Sequence, residues 1–211
     1  MNQYTILYLV RHGETEANVT NTLQGQSDVR LNEKGIKQAQ LVGKRLRDKH
    51  FDVILSSDLS RAAVTAAEIA GERQMTLTPL LREWDLGDWV GLTWDQVREK
   101  FPEEAALFSS GSMDAEVSGG ESRRKFHERA AKVLQWVTEE YAGKTVLCVS
   151  HGGLLRAIFQ AAAERELPGN FLRTDNTCVC CLKYAHDSGK WQLVLWNDTS
   201  HLDSQALSSG W

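Results

Sequence analysis

The chain lacks what would tie it to a membrane or to a nucleic acid. No apolar run approaches the ~20 residues of a bilayer span. Its opening, MNQYTILYLVRHGE, has no positively charged start and no small-residue cleavage site, and its apolar run is only about six residues, so it does not read as a secretory leader. Positive charge is not in excess: 24 Lys and Arg against 28 Asp and Glu leave a formal net charge of -4 with His neutral. A nucleic-acid backbone would meet no broad positive field. A local pocket of arginines inside an acidic protein remains open, and it would favour small phosphorylated substrates. Cysteine is scarce and its spacing is wrong for a staple or a zinc ribbon. Cys148 stands alone, and Cys178, Cys180 and Cys181 lie in NTCVCCLKY with no CxxC pair. They are expected as small core residues, with Cys178 and Cys180 on one strand face and Cys181 on the other. A cytoplasmic protein is the expectation, and the sequons at Asn18 and Asn197 then carry no weight.

What is present fits a globular fold. At 211 residues, 42% hydrophobic and 25% charged, the chain is long enough for one large α/β domain over 1–211 with a sizeable core. YTILYLV reads as a strand buried on both faces. NEKGIKQAQLVGKRLRDKH has the apolar spacing of a helix. FDVILSS is a second strand, DLSRAAVTAAEIAGE an Ala-rich helix from near Asp58, and MTLTPLL a third strand with an alternating face. REWDLGDWVGLT reads as a loop. TWDQ at 93–96 has the form of a capping box, and FPEEAALFSSGSMDAEVSGGES reads as the most irregular stretch. Ser118 and Glu121 are expected to cap the next helix, whose inner stripe is Phe126, Ala130, Val133, Leu134 and Val137. KTVLCVS is a buried strand, HGGLLRAIFQAAAE a helix, and TCVCCLKYAH with KWQLVLW a closing hairpin turning at Asp187-Ser188-Gly189. The alternation of strands and helices implies a three-layer α/β/α fold with a mostly parallel central sheet.

In such folds ligands bind beyond the carboxyl ends of the strands. The first strand ends on Arg11 and His12. The second ends on Ser56 and Ser57, with Arg61 a turn into the helix. The third is followed by Arg82 and Glu83, and KTVLCVS by His151-Gly152-Gly153. Two histidines, two or three arginines and a carboxylate therefore meet at one sheet edge. Zinc could use two His and a Glu, but adjacent arginines repel a divalent cation. The Gly-x-Ser-x-Gly elbow of serine hydrolases fails at its first glycine, where Cys148 stands. Gly152-Gly153 is not a dinucleotide fingerprint.

Phosphoryl transfer fits. Arg forks match phosphoryl oxygens with paired hydrogen bonds. Cations beside His12 bias it toward neutral imidazole, and a neutral ring nitrogen is a nucleophile. His151 would stabilise the equatorial oxygens with amides at the start of its helix. Glu83 is the candidate proton donor to the leaving oxygen. Gly13 would leave the backbone open to phosphate, and Glu14 would orient a neighbour. Such positioned cations are worth roughly 10³ to 10⁵ in rate.

These motifs resemble the histidine phosphatase superfamily, also called phosphoglycerate mutase-like. The resemblance runs through LVRHGET at 9–15, QGQSDVRLNEKGIKQA at 24–39, SSDLSRAAVTA at 56–66, LREWDLGDWVGLT at 81–93, GGES at 119–122, VSHGG at 149–153 and NDTSHL at 197–202. It implies His12 as phosphoryl acceptor, Arg11, Arg61 and His151 as oxygen ligands, and Glu83 as proton donor. It also implies Asn18 at the phosphate, Gln24 and Gly25 on the pocket wall, and a backbone amide from Gly152. It implies a phosphoglycerate mutase-like fold with no metal and no cofactor. Mutases of the family carry a longer insertion after the matched Glu, and the 84–122 segment is short for that. GDWVGLT is more typical of the phosphatase branch. The expectation is a phosphatase acting on small phosphorylated metabolites. A cofactor-dependent phosphoglycerate mutase and a non-catalytic pseudophosphatase are the alternatives, and a homodimer is left open.

Several other residues get plainer readings. Arg123 and Arg124 read as a solvated helix face. His50 reads as a helix-ending cation, His127 and His186 as exposed, and His201 as a structural hydrogen bonder. Trp84, Trp89 and Trp94 either wall the pocket or pack the core. The polar tail DSQALSSGW reads as mobile.

Overall fold

The computed structural model describes residues 3–167 and 171–202, so the tail reading falls outside the described residues. In chain order the elements are strand β1 (Tyr4–Arg11), a short helix α1 (Glu16–Val19), α2 (Glu33–Leu46), β2 (Val53–Ser57), α3 (Ser60–Ala70), β3 (Thr76–Thr78), α4 (Trp94–Lys100), α5 (Pro102–Ser109), α6 (Arg123–Glu140), β4 (Thr145–Ser150), α7 (Gly152–Ala162), β5 (Val179–Ala185) and β6 (Lys190–Asp198). The sheet order is β3-β2-β4-β1-β5-β6. The first four strands are parallel. β5 runs antiparallel to β1, and β6 antiparallel to β5.

Strand alternation builds the three layers. Leu7, Leu9, Val146 and Cys148 face one side, where they meet Phe126 and Val133 of α6 and Leu154 and Ile158 of α7. Val10, Leu147 and Val149 face the other, against Val42 and Leu46 of α2 and Ala62 and Ile69 of α3. A central strand sandwiched in this way is held hard, because truncating a buried Leu costs ~2–5 kcal/mol. β1 is therefore a rigid mount for whatever follows Arg11. All four cysteines are free and buried, as expected of core residues.

Several elements depart from the sequence reading. The MTLTPLL strand stops after Thr78, because Pro79 has no N–H to give a ladder and instead opens a single 3-10 turn, which the Thr78 side chain caps. The irregular stretch contains α5, with Pro102 at its first position and Glu103 and Glu104 in its first turn. Only Ala105 of α5 is buried, so no apolar stripe announced it. Ser122, not Ser118, caps α6, and its hydroxyl accepts from Lys125 N at 3.3 Å. Ser118 is already held by Glu104, to which its hydroxyl donates at 2.6 Å. The inner stripe of α6 is buried at all five expected positions. The TWDQ capping box starts α4 as read, and the β5–β6 hairpin turns where expected. His50 lies beyond α2 and faces Asp52 at 3.2 Å, so it does not serve the helix dipole. His127 is half-buried rather than exposed.

Candidate active site

The parallel register sets the ends of β1, β2 and β4 side by side, with Arg11 opposite Ser150 and Ser56 opposite Val149. The pairing continues one residue past β1, where His12 N donates to Ser150 O at 2.9 Å. The His12 ring is buried. Its Nδ1 lies 2.7 Å from Gly13 O. A carbonyl only accepts, so Nδ1 carries the hydrogen and Nε2 presents a bare lone pair. Burial pushes the imidazole well below its usual value of 6.5, and the guanidiniums of Arg61 and Arg11 push it further. The neutral ring expected from the two cations is thus set first by desolvation.

His151 caps the start of α7, fully buried, with its ring centroid 5.1 Å from that of His12. Its Nε2 lies 2.9 Å from Ser57 Oγ, which already accepts from Leu59 N at 3.3 Å. In the tautomer in which the serine hydroxyl donates to Nε2, the imidazole hydrogen sits on Nδ1. Burial, followed by Arg61, His12 and Arg11, also keeps His151 well below 6.5.

The two arginines are clamped by carbonyls. Arg11 Nη1 donates to Thr174 O at 2.6 Å. Arg61 donates from Nη1 to Ser27 O at 2.6 Å and from Nη2 to Gly25 O at 2.8 Å. Burial pushes Arg61 down to about 10, partly offset by Glu83 and Asp28, so it remains a cation at neutral pH. Arg11 Nε, Arg61 Nε, His151 Nδ1 and Thr174 Oγ1 are buried with no protein partner. Leaving one such group unpaired costs ~1–3 kcal/mol. Two guanidinium N–H donors and a hydroxyl, joined by His151 Nδ1–H in the tautomer that Ser57 supports by donating, match an oxyanion with several acceptor oxygens.

Glu83 sits at the rim, half-buried. Its carboxylate accepts from Trp84 N and Gly153 N, each at 2.9 Å. Gly152 begins α7, and a Cβ there would lie 3.1 Å from Thr174 Oγ1 and 3.3 Å from Arg11 Nε, so its backbone borders the anion cradle. Asn18 accepts from Thr15 N at 3.1 Å and from Asn176 Nδ2 at 3.2 Å, beside the His12 carbonyl that Asn176 also holds. Gln24 accepts from Thr15 Oγ1 at 3.0 Å. Gly25 is tied in through Arg61.

Other readings need correction. Gly13 does not open the backbone to phosphate. A Cβ there would lie 2.4 Å from Gly35 O, so its missing side chain admits the start of α2. Glu14 orients a neighbour as expected, holding Asn32 Nδ2 at 3.1 Å and Lys34 at 3.4 Å. Arg82 turns away from the cradle to pair with Asp58 at 2.6 Å. Arg124 is exposed, but Arg123 is half-buried with its guanidinium 5.3 Å from the Trp84 ring and 4.6 Å from Phe108. Trp84 stacks on Phe126 at 4.5 Å, and Trp89 packs edge-on against Phe108 and Trp94, so Trp84 and Trp89 belong to the core that follows Glu83, while Trp94 covers it from an exposed position.

Sequence reasoning missed the 174–177 run, TDNT, all four residues of which are buried. Thr177 N donates to the carbonyls of Arg11 and His12 at 3.1 and 3.3 Å, from a backbone at φ 55° that a β-branched residue adopts only under strain. The NDTSH segment braces this run. Asn197 bonds Asp175 twice, at 2.7 and 2.8 Å, and His201 meets Thr177 at 3.2 Å, the structural role read for it. Among the described residues no three His, Cys, Asp or Glu side chains gather as a metal site would require.

The family model of the histidine phosphatase superfamily (branch 1) matches residues 7–199. The chain belongs to that superfamily. It is 36% identical to phosphoglycerate mutase-like protein 4 of Arabidopsis thaliana, over 98% of this chain and 91% of that one. It is also 36% identical to a metal-independent phosphoserine phosphatase of the same plant, over 96% and 85%. Its fold matches the crystal structure of a mutant phosphoserine phosphatase from Entamoeba histolytica in complex with phosphoserine, with a TM-score of 0.86 and 32% identity over 94% of this chain and 100% of that chain. The solved phosphoserine phosphatase shares the fold that, in this chain, sets His12 and His151 side by side.

Proposed function

We propose that this protein is a metal-independent phosphatase that hydrolyses small phosphomonoesters through a phosphohistidine on His12, with phosphoserine as the first substrate to test. The observation that carries the reading is the His12 ring, neutral, with Nδ1–H spent on Gly13 O and Nε2 bare, beside two guanidiniums whose Nε groups have no protein partner. In the first step Nε2 attacks phosphorus. The N–P bond forms, the P–O bond to the alcohol breaks, and Glu83 gives its proton to the departing oxygen. Arg11, Arg61 and His151 Nδ1–H hold the equatorial oxygens as charge spreads over them. In the second step water attacks the phosphohistidine, Glu83 takes the water's proton, and phosphate leaves with His12 restored. Asn18, Gln24, Gly25 and Gly152 line and stiffen the cradle.

The short 84–122 segment, packed down as an aromatic core under the Glu83 loop, favours hydrolysis over the mutase reaction. The presence of both His12 and Glu83 favours turnover over a binding-only role. We assign the whole chain to one domain. We place the protein in the cytoplasm, a reducing compartment that suits four free, buried thiols. A homodimer is the proposed assembly, because edge strand β6 leaves Leu193 and Val194 53% and 58% exposed. Light scattering tests that last point, and a monomer at all concentrations would refute it.

The deciding experiment offers phosphoserine, p-nitrophenyl phosphate and 3-phosphoglycerate to the pure protein in EDTA. Phosphate release from phosphoserine is expected. Isomerisation of 3-phosphoglycerate outrunning hydrolysis would favour the mutase, and binding without turnover would favour the pseudophosphatase.

A further inference from the structure

Glu83 lies in a stretch with no ladder or helix to hold it. A carboxyl that must meet a leaving oxygen needs its backbone fixed. The fixing comes from Arg129 of α6 and from Glu121 just before that helix. The Arg129 guanidinium donates from Nη1 to Leu80 O at 3.2 Å and to Arg82 O at 2.6 Å, and from Nη2 to Glu83 O at 3.0 Å. One planar fork therefore holds three carbonyls of the loop, a task that a lysine's single ammonium cannot copy. The same guanidinium pairs with Glu121, and both side chains are 16% exposed.

Glu121 grips the other end of the loop. Its carboxylate accepts from Asp85 N at 3.0 Å, its N–H donates to Asp85 O at 3.0 Å, and its carbonyl accepts the Trp84 indole N–H at 2.9 Å. Trp84 in turn stacks on Phe126, and Arg129 lies 5.1 Å over the same ring. Residues 80–85 are thus pinned from Leu80 to Asp85 by Arg129, in the second turn of α6, and by Glu121, just ahead of that helix. The Glu83 carboxyl projects from the middle of that pinned stretch onto Gly153 N.

We propose that Arg129, paired with Glu121, is a positioning residue that sets the place of the Glu83 carboxyl and so controls how well the enzyme protonates a poor leaving group. This rests on the reading of Glu83 as proton donor. It goes beyond that reading by assigning the donor's placement to two residues that touch neither substrate nor His12. A displacement of about 1 Å in such a group costs about 10²-fold in rate. The cost must fall on substrates that need the proton.

The test compares kcat/KM, which reports the step in which the leaving group departs, for phosphoserine and for p-nitrophenyl phosphate. Phosphoserine leaves an alkoxide that must be protonated, whereas p-nitrophenolate is stable unprotonated. Arg129→Gln and Glu121→Gln are expected to lower kcat/KM for phosphoserine by tenfold or more beyond any loss with p-nitrophenyl phosphate, with Arg129→Lys intermediate. Glu83→Gln should give the same selective loss, and adding Arg129→Gln to it should cost little more. If Glu83→Gln is selective but Arg129→Gln and Glu121→Gln slow both substrates equally, the positioning role is wrong and the proton-donor reading stands. If Glu83→Gln is itself unselective, both fall. Circular dichroism checks folding, and if Arg129→Gln does not fold, Glu121→Gln and Arg129→Lys decide by the same ratio.

Discussion

Gly153 donates its backbone N–H to Glu83 at 2.9 Å, and a Cβ on Gly153 would sit 2.3 Å from that same carboxylate. The first turn of α7 and the proposed proton donor therefore fit only because position 153 carries no side chain. Gly153→Ala is expected to push Glu83 off its seat and lower kcat/KM for an alkyl phosphate by about 10²-fold. Helix α7 should gain slightly from the alanine. An unchanged kcat/KM would mean that the carboxylate does not work from this position.

Arg61 holds two carbonyls and leaves Nε for the ligand. Lysine keeps the charge but cannot bridge Gly25 and Ser27 while facing the phosphoryl group. Arg61→Lys should lower kcat by about 10² to 10³, the loss seen when one transition-state donor is removed. Steady-state kinetics on p-nitrophenyl phosphate measures it, and a rate within a few-fold of wild type would show that charge alone suffices.

The buried neutral histidines make stability depend on pH. His12 and His151 are both held well below 6.5 in the fold. As pH falls below about 6.5 the unfolded chain takes up protons that the fold refuses, so unfolding becomes easier. Stability is full above that pH and declines below it, by up to ~1.4 kcal/mol per pH unit for each such histidine. Urea denaturation between pH 7.5 and about 5 reads the slope. His12→Asn should make it shallower by about one proton, and an unchanged slope would show that His12 is not buried neutral.

Much of this site was legible because parallel strands present their carboxyl ends together. Arg11 and His12, Ser57 with Arg61, and His151 each follow an apolar run, and topology did the rest. The TDNT run escaped for the same reason. β5 is antiparallel, so it brings its start to that edge, with Val179 opposite Val10, and a search past strand ends cannot find residues before a strand. Gly13 was misread because a close approach of Gly35 from α2 is a long-range contact with no local signature. Arg123 was misread because its neighbours Trp84 and Phe108 come from separate segments, and only packing reveals the burial of its stem. The α5 helix was missed because its faces are almost equally polar, while α6, with a clean inner stripe, was read nearly to the residue.

The central claim is that His12 Nε2 takes the phosphoryl group. Rapid mixing of enzyme with phosphoserine, quenching in alkaline denaturant and peptide mass spectrometry tests it most directly. The account predicts phosphate on His12, acid-labile and base-stable, formed in the first turnover and absent from a folded, inactive His12→Ala variant. Label on another residue, or turnover by His12→Ala at the wild-type rate, would contradict it.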